Sequence, residues 1–153
     1  MLVIDEDLRT LIESGPAIGV ATRSAELAPH AVRGWGARVA EDGRTVDVFV
    51  DRPNAGAIVS DLRDNARIAV FFVDVTCLRA LQLKGRCVDV GDPDPDDWAW
   101  VDRHRAEFTR ACESILFPSY IARHLWAMQV VRLRFVVEEL FDQTPGPGAG
   151  KSL

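Results

Sequence analysis

Ala31-Val32-Arg33-Gly34-Trp35-Gly36-Ala37-Arg38-Val39-Ala40-Glu41-Asp42-Gly43-Arg44-Thr45-Val46-Asp47-Val48-Phe49-Val50 is the stretch that decides the fold. Residues Ala31 to Val39 and Val46 to Val50 are strand-like, and Glu41-Asp42-Gly43-Arg44 between them is hairpin chemistry, with Asp-Gly tolerating positive φ. A further run, Ala17 to Thr22, lies just upstream, so the spacing predicts three antiparallel strands in a meander. Before them, Ile4, Leu8, Leu11 and Ile12 at helical spacing predict a short amphipathic helix with Asp5 as N-cap and Gly15 just past its end.

Downstream, Ala55, Ile58, Val59 and Leu62 return to helical spacing. Ile68 to Val73 is a continuous apolar run, too short for a helix of its own, and predicts a strand buried on both faces. Ala80 to Val90 sets Leu81, Leu83 and Gly85 on one face and Gln82, Lys84 and Arg86 on the other. After the loop Gly91 to Asp97, rich in N-capping aspartates, Trp98 to Leu116 is the longest predicted helix and Tyr120 to Leu125 a short helical turn. Met128 to Leu140 is the last strand, with Val131, Leu133, Phe135 and Val137 alternating with Arg132, Arg134 and Glu138. Six strands with few intervening helices predict an antiparallel barrel flanked by helices, not a parallel doubly wound sheet. Residues 1–143 form the barrel domain in this reading, and 144–153 a Gly/Pro-rich tail.

Composition narrows the function. The chain has 153 residues, 48% hydrophobic, and a net charge of -5 with no basic block, which argues against nucleic acid or an anionic membrane surface as partner. No apolar run approaches the roughly 20 residues of a membrane span. The N-terminal Met-Leu-Val-Ile-Asp-Glu-Asp has acidic residues where a secretory or transit signal needs basic ones, so a cytoplasmic location is expected. Cys77, Cys87 and Cys112 fit neither a disulfide framework nor a metal site and read as buried thiols.

Gly146 to Ser152 looks like a phosphate loop, but Pro145 stands where its first glycine belongs. His104 and His124 fall in helical segments and read as surface or capping residues. His30, ahead of the second strand, is kept as a site candidate. Arg52-Pro53-Asn54 sits between the third strand and the second helix, where backbone N–H groups and the helix dipole favour an anion. Trp35, Trp98, Trp100 and Trp126 are each able to stack on a ring, although packing is the commoner fate of Trp.

The run Ala66-Arg67-Ile68-Ala69-Val70-Phe71-Phe72, the string Leu81-Gln82-Leu83-Lys84-Gly85 and the ending Phe141-Asp142-Gln143-Thr144-Pro145-Gly146-Pro147 resemble the pyridoxamine 5'-phosphate oxidase-like proteins of the FMN-binding split-barrel superfamily. The resemblance implies a homodimer of six-stranded split barrels with a flavin in each of two clefts at the subunit interface. It makes Arg33 the strand arginine that holds the FMN phosphate. The family's Ser-Arg-Lys set at the start of the following helix is replaced by Gly56-Ala57-Ile58, and its Arg-Gln pair by Arg79-Ala80. Arg52, Asn54 and the N–H groups of Ala55 and Gly56 are the substitute donors, with Gln82 and Lys84 near the ring or phosphate. The implied function is an FMN-dependent, oxidoreductase-like protein. Haem or a deazaflavin are alternative cofactors, and a non-catalytic sensor dimer or a structural dimer with an empty cleft are alternative roles.

Overall fold

The computed structural model describes residues 2–153. Helix α1 (Glu6–Glu13) leads into β1 (Ala17–Arg23), β2 (Pro29–Val39) and β3 (Thr45–Asp51). A 3-10 turn (Arg52–Asn54) and α2 (Gly56–Asn65) follow, then β4 (Arg67–Val73) and β5 (Ala80–Gly91). The chain continues through α3 (Pro95–Ser114), α4 (Ser119–His124), β6 (Val130–Asp142) and β7 (Lys151–Ser152). The expected helix starting with Asp5 is capped as the sequence suggests, the Asp5 carboxylate accepting from Leu8 N–H at 2.9 Å. Gly15 takes φ +84° just beyond its end. No described helix is long and apolar enough to cross a membrane.

The strands pair antiparallel in the order β3-β2-β1-β4-β5-β6-β7, and β3 also pairs with β6. That last pairing runs from Thr45↔Val136 to Asp51↔Val130 and closes six strands into a barrel. The barrel is filled by one alternate set of side chains from each strand, including Val20, Val48, Val70, Leu83 and Leu133, all fully buried. β7 is a short addition from the tail, laid against Phe141 and Asp142.

β4 is not buried on both faces. Ile68, Val70 and Phe72 point inward, whereas Phe71 is 40% exposed. A closed antiparallel barrel covers one face of each strand, so the outer face of β4 stays open unless another element packs on it. The doubly buried strand is β3: Val46, Val48 and Val50 fill the barrel, Phe49 packs outside it with Val101 and Phe108 of α3, which lies on β2, and Asp47 is covered by Arg38 and Arg134. A register shift in β2 between Gly34 and Ala37 accompanies this arrangement, with Gly36 at φ +149°. Trp35 packs in a second core with Phe49, Val101, Phe108 and Cys112.

His104 belongs to that second core and is 4% exposed, so it is not a surface residue, and its position on α3 beside Phe108 explains why. His124 ends α4 with Nδ1 against the Tyr120 carbonyl oxygen, a capping position. Of the cysteines, Cys112 is buried, Cys87 half-buried and Cys77 exposed in the β4–β5 turn, so the expectation of three buried thiols is corrected.

Candidate functional site

Arg33 projects from the outer side of β2 just before the bulge and folds down toward α3. Its guanidinium carbon lies 4.8 Å from the Trp35 ring centroid and 4.9 Å from that of Phe108. Among the described residues it has no hydrogen bond or ion pair, and its Nε is buried without a partner. Burial pulls its pKa below the ordinary arginine value, partly offset by the Cys112 thiol. Beside it, burial first and the charges of Arg33 and Arg105 second push His104 down to about 4, so the imidazole is neutral near pH 7. The result is a half-buried cation without a counter-ion, set in a cleft of about 650 Å³ lined by Arg33, Trp35, Asp51, Asn54, Leu125 and Trp126 among others.

Asn54 shares that cleft, on the turn that follows β3, but its amide already donates to the Asp51 carboxylate. Arg52 faces elsewhere, toward a depression of about 340 Å³ that it shares with Gly56, Ser60 and Arg63. Its guanidinium pairs with Asp92 and donates to the Val130 carbonyl oxygen at 3.2 Å. The first turn of α2 has no side-chain cap. The Ala55 N–H, one of the expected anion donors, instead donates to the Arg52 carbonyl oxygen at 3.1 Å, closing the 3-10 turn.

Gln82 and Lys84 lie on the outer face of β5, as their alternation predicts. Lys84 Nζ stands 4.8 Å from the Phe141 ring centroid and lines a depression of about 410 Å³ with Thr22, Arg23, Arg67, Glu138 and Glu139. Gln82 Oε1 accepts from Gln143 Nε2 at 3.2 Å. Within one chain, then, Arg33 and Asn54 come together, while Arg52 and the Gln82/Lys84 pair occupy other surfaces. His30 is tied down rather than free, its Nδ1 2.7 Å from buried Asp61, which also accepts from Thr22 Oγ1 at 2.6 Å.

Sequence reasoning missed Asp51 and Leu125 as cleft walls and read Trp126 as a packing residue. It also missed Arg67 on the outer surface. The hydropathy of residues 124–127 carries no strand or helix signal strong enough to place that segment against β2. The spacing of Arg33 and Trp35, two apart across a Gly, was legible as a cation and a ring on one face.

The closed six-stranded antiparallel barrel with helices on its rim, together with an unpaired strand arginine facing a rim cleft, defines the split-barrel class. A family model described as Pyridoxamine 5'-phosphate oxidase matches residues 4–137, and the chain belongs to that family. A comparison with curated proteins finds no match. Among solved structures, HupZ of Group A Streptococcus superposes with a TM-score of 0.57 at 18% identity, over 96% of this chain and 99% of that one. An F420 reductase gives a TM-score of 0.52 at 17% identity over 90% and 98% of the two chains. An FMN-binding protein of Syntrophomonas wolfei subsp. wolfei gives 0.51 at 10% identity over 86% and 80%. At these identities the likeness is one of fold.

Proposed function

We propose that the chain is a flavin-binding protein of the oxidoreductase type that takes FMN between two copies of itself. The observation that carries this reading is Arg33, a half-buried guanidinium without a counter-ion in a cleft on the barrel rim. A planar fork of N–H donors suits a phosphate monoester, and an anion there would relieve the burial of an unpaired charge. Asn54, in the same cleft, adds a neutral amide, while the uncapped first turn of α2 opens on the neighbouring depression with Arg52. Arg52 faces the neighbouring depression and joins only by leaving Asp92 and the Val130 carbonyl oxygen and turning toward the cleft; the Asp92 pair is exposed, and such pairs are worth roughly 0 to 1 kcal/mol.

We assign Gln82 and Lys84 to the half of the site that the second copy supplies. The outer face they share with Phe71, Gly19 and Ala69 is small, apolar and uncovered in one chain. FMN, when bound, supplies two-electron hydride transfer. Lys84 is the cation available to stabilise negative charge at the ring edge, Gln82 a neutral partner for a ring heteroatom, and Trp126 and Leu125 a wall that limits water. A deazaflavin is the second reading, favoured by the likeness to the F420 reductase.

The test is an absorption spectrum of the protein purified without added cofactor, followed by titration with FMN. Flavin bands or saturable FMN binding are expected. Arg33→Ala should weaken the affinity at least about tenfold, the scale of a lost charge-assisted hydrogen bond. Arg52→Ala should cost less, because that side chain must first leave Asp92. An unchanged affinity in Arg33→Ala would remove the phosphate anchor and the reading with it.

A further inference from the structure

Beside its one unpaired cation, the Arg33 cleft presents side-chain acceptors. The titratable side chains that line it are Arg33, Asp51 and His124. Arg52 is turned to the neighbouring depression and held by Asp92 and the Val130 carbonyl oxygen, and Lys84 stands on the outer face of β5. The Asp51 carboxylate accepts from the Asn54 amide through Oδ2 and enters no ion pair among the described residues, which leaves Oδ1 open. His124 Nδ1 meets the Tyr120 carbonyl oxygen, so the proton of the neutral ring sits on Nδ1 and Nε2 is an acceptor.

The backbone adds groups of both kinds. β2 outruns β3 here: Ala31 and Val32 pair with β1, the pairing with β3 begins at Gly34, and both residues line the cleft. In an antiparallel ladder, one of two successive residues turns both its N–H and its C=O away from the paired strand, so this edge offers a donor and an acceptor together. An aliphatic chain lying in the cleft would leave all of these groups without partners. An ammonium group suits Asp51 but cannot accept from the strand edge, whereas a hydroxyl group both donates and accepts.

We propose, resting on the flavin reading for the phosphate at Arg33, that the cleft recognises a polyol monophosphate. Arg33 takes the phosphate, and Asp51 and His124 accept from hydroxyl groups on the carbon chain beside it. In FMN that chain is the ribityl group, so these two side chains read the part of the cofactor that lies between phosphate and ring. Asp51 is held for this by its pairing with Val130 at the end of β3, a strand position and not a loop.

The experiment uses the full chain and three probes that share a phosphate and a five-carbon chain: D-ribitol 5-phosphate, pentyl phosphate without hydroxyls, and 5-aminopentyl phosphate. Binding is read by calorimetry, with FMN titrated alongside. Ribitol 5-phosphate should bind at least about tenfold more tightly than pentyl phosphate, the worth of a hydrogen bond to a charged group. Asp51→Asn, which keeps the shape and removes the charge, should weaken ribitol 5-phosphate about fivefold and leave pentyl phosphate unchanged or tighter, a split that general damage to the fold would not give. His124→Leu, at an exposed helix end, should weaken ribitol 5-phosphate about threefold, the scale of one neutral hydrogen bond.

Equal affinities for ribitol 5-phosphate and pentyl phosphate overturn the proposal, as does the lack of saturable binding of ribitol 5-phosphate at millimolar concentration. An affinity unchanged in both variants, or tighter binding of 5-aminopentyl phosphate than of ribitol 5-phosphate, overturns it too. Failure of FMN to bind while ribitol 5-phosphate binds overturns the flavin reading alone. Binding of FMN with no preference among the three probes overturns the polyol assignment alone.

Discussion

At the scale of single residues, His104 makes folding sensitive to pH. Burial and two neighbouring guanidinium groups hold its pKa at about 4, whereas a free imidazole titrates near 6.5. The unfolded chain therefore takes up a proton below about pH 6.5 that the folded chain refuses until about pH 4, and stability falls as pH drops through that window. The gap is worth about 3 kcal/mol at 1.36 kcal/mol per pH unit. Urea denaturation midpoints should decline between pH 7 and pH 4, and His104→Phe, which keeps a ring beside Phe108, should flatten the decline. Asp47 acts in a lower window. Burial opposes its charge, yet hydrogen bonds and attraction from Arg134 and Arg38 hold its carboxyl below the ordinary value. Its contribution is present above the unfolded carboxylate pKa of about 3.9 and is lost only as pH falls through the still lower folded value. The burial of His104 was partly legible: Val101, His104, Phe108 and Cys112 recur at helical spacing. The charged residues filling the rest of α3 masked it, because a polar helix reads as solvated until its partner surface is known.

At the scale of elements, α3 is fastened to the barrel by charge as well as by its apolar stripe. Asp94 caps the helix in a reciprocal box with Asp97. The fully buried Asp97 carboxylate then takes Arg38 from β2 at 2.7 Å and Arg132 from β6 at 3.3 Å. Removing one side of such a buried network leaves the other uncompensated. Asp97→Ala should cost about 3 kcal/mol or more in chemical denaturation and expose Trp35 and Trp100 to quenchers. A loss under 1 kcal/mol would mean that the apolar contacts hold α3 unaided. Gly85 is a second fixed point, since a Cβ there would sit 2.0 Å from the Val136 carbonyl oxygen where β5 and β6 slip register. Most elements could be read in advance, because alternation in β5 and β6 and the Asp-Gly turn before β3 are local signals. The two-sided burial assigned to β4 belongs instead to β3. Hydropathy registers that a side chain is apolar, but which outer face receives α3 is decided by a crossing from residue 95 back to β2, beside Phe49 of β3. For the site, Arg33 was legible by type and position. The separation of Arg52 from it was not, since that depends on the Asp92 contact forty residues away.

At the scale of the whole molecule, the open outer face of β1, β4 and β5 is where a second copy would sit. Phe71 lies across from Gly19 and Gln82, on a surface with little side-chain relief. Sedimentation should give a dimer at micromolar protein. Phe71→Glu should give a monomer with an unchanged far-UV spectrum and weakened FMN binding, because it places charge on an apolar contact without touching the barrel interior. A monomeric unaltered chain would end the two-copy site. The β3–β6 closure matters before any ligand arrives. Asp47 meets Arg134 across 87 positions of chain, so the seam between these strands has no partner to form with until β6 has been made. While translation proceeds, β1, β2 and β3 remain an open meander with an unsatisfied edge. The strand that seals it is β6, which makes the interval before β6 emerges the step most exposed to misassociation between neighbouring nascent chains.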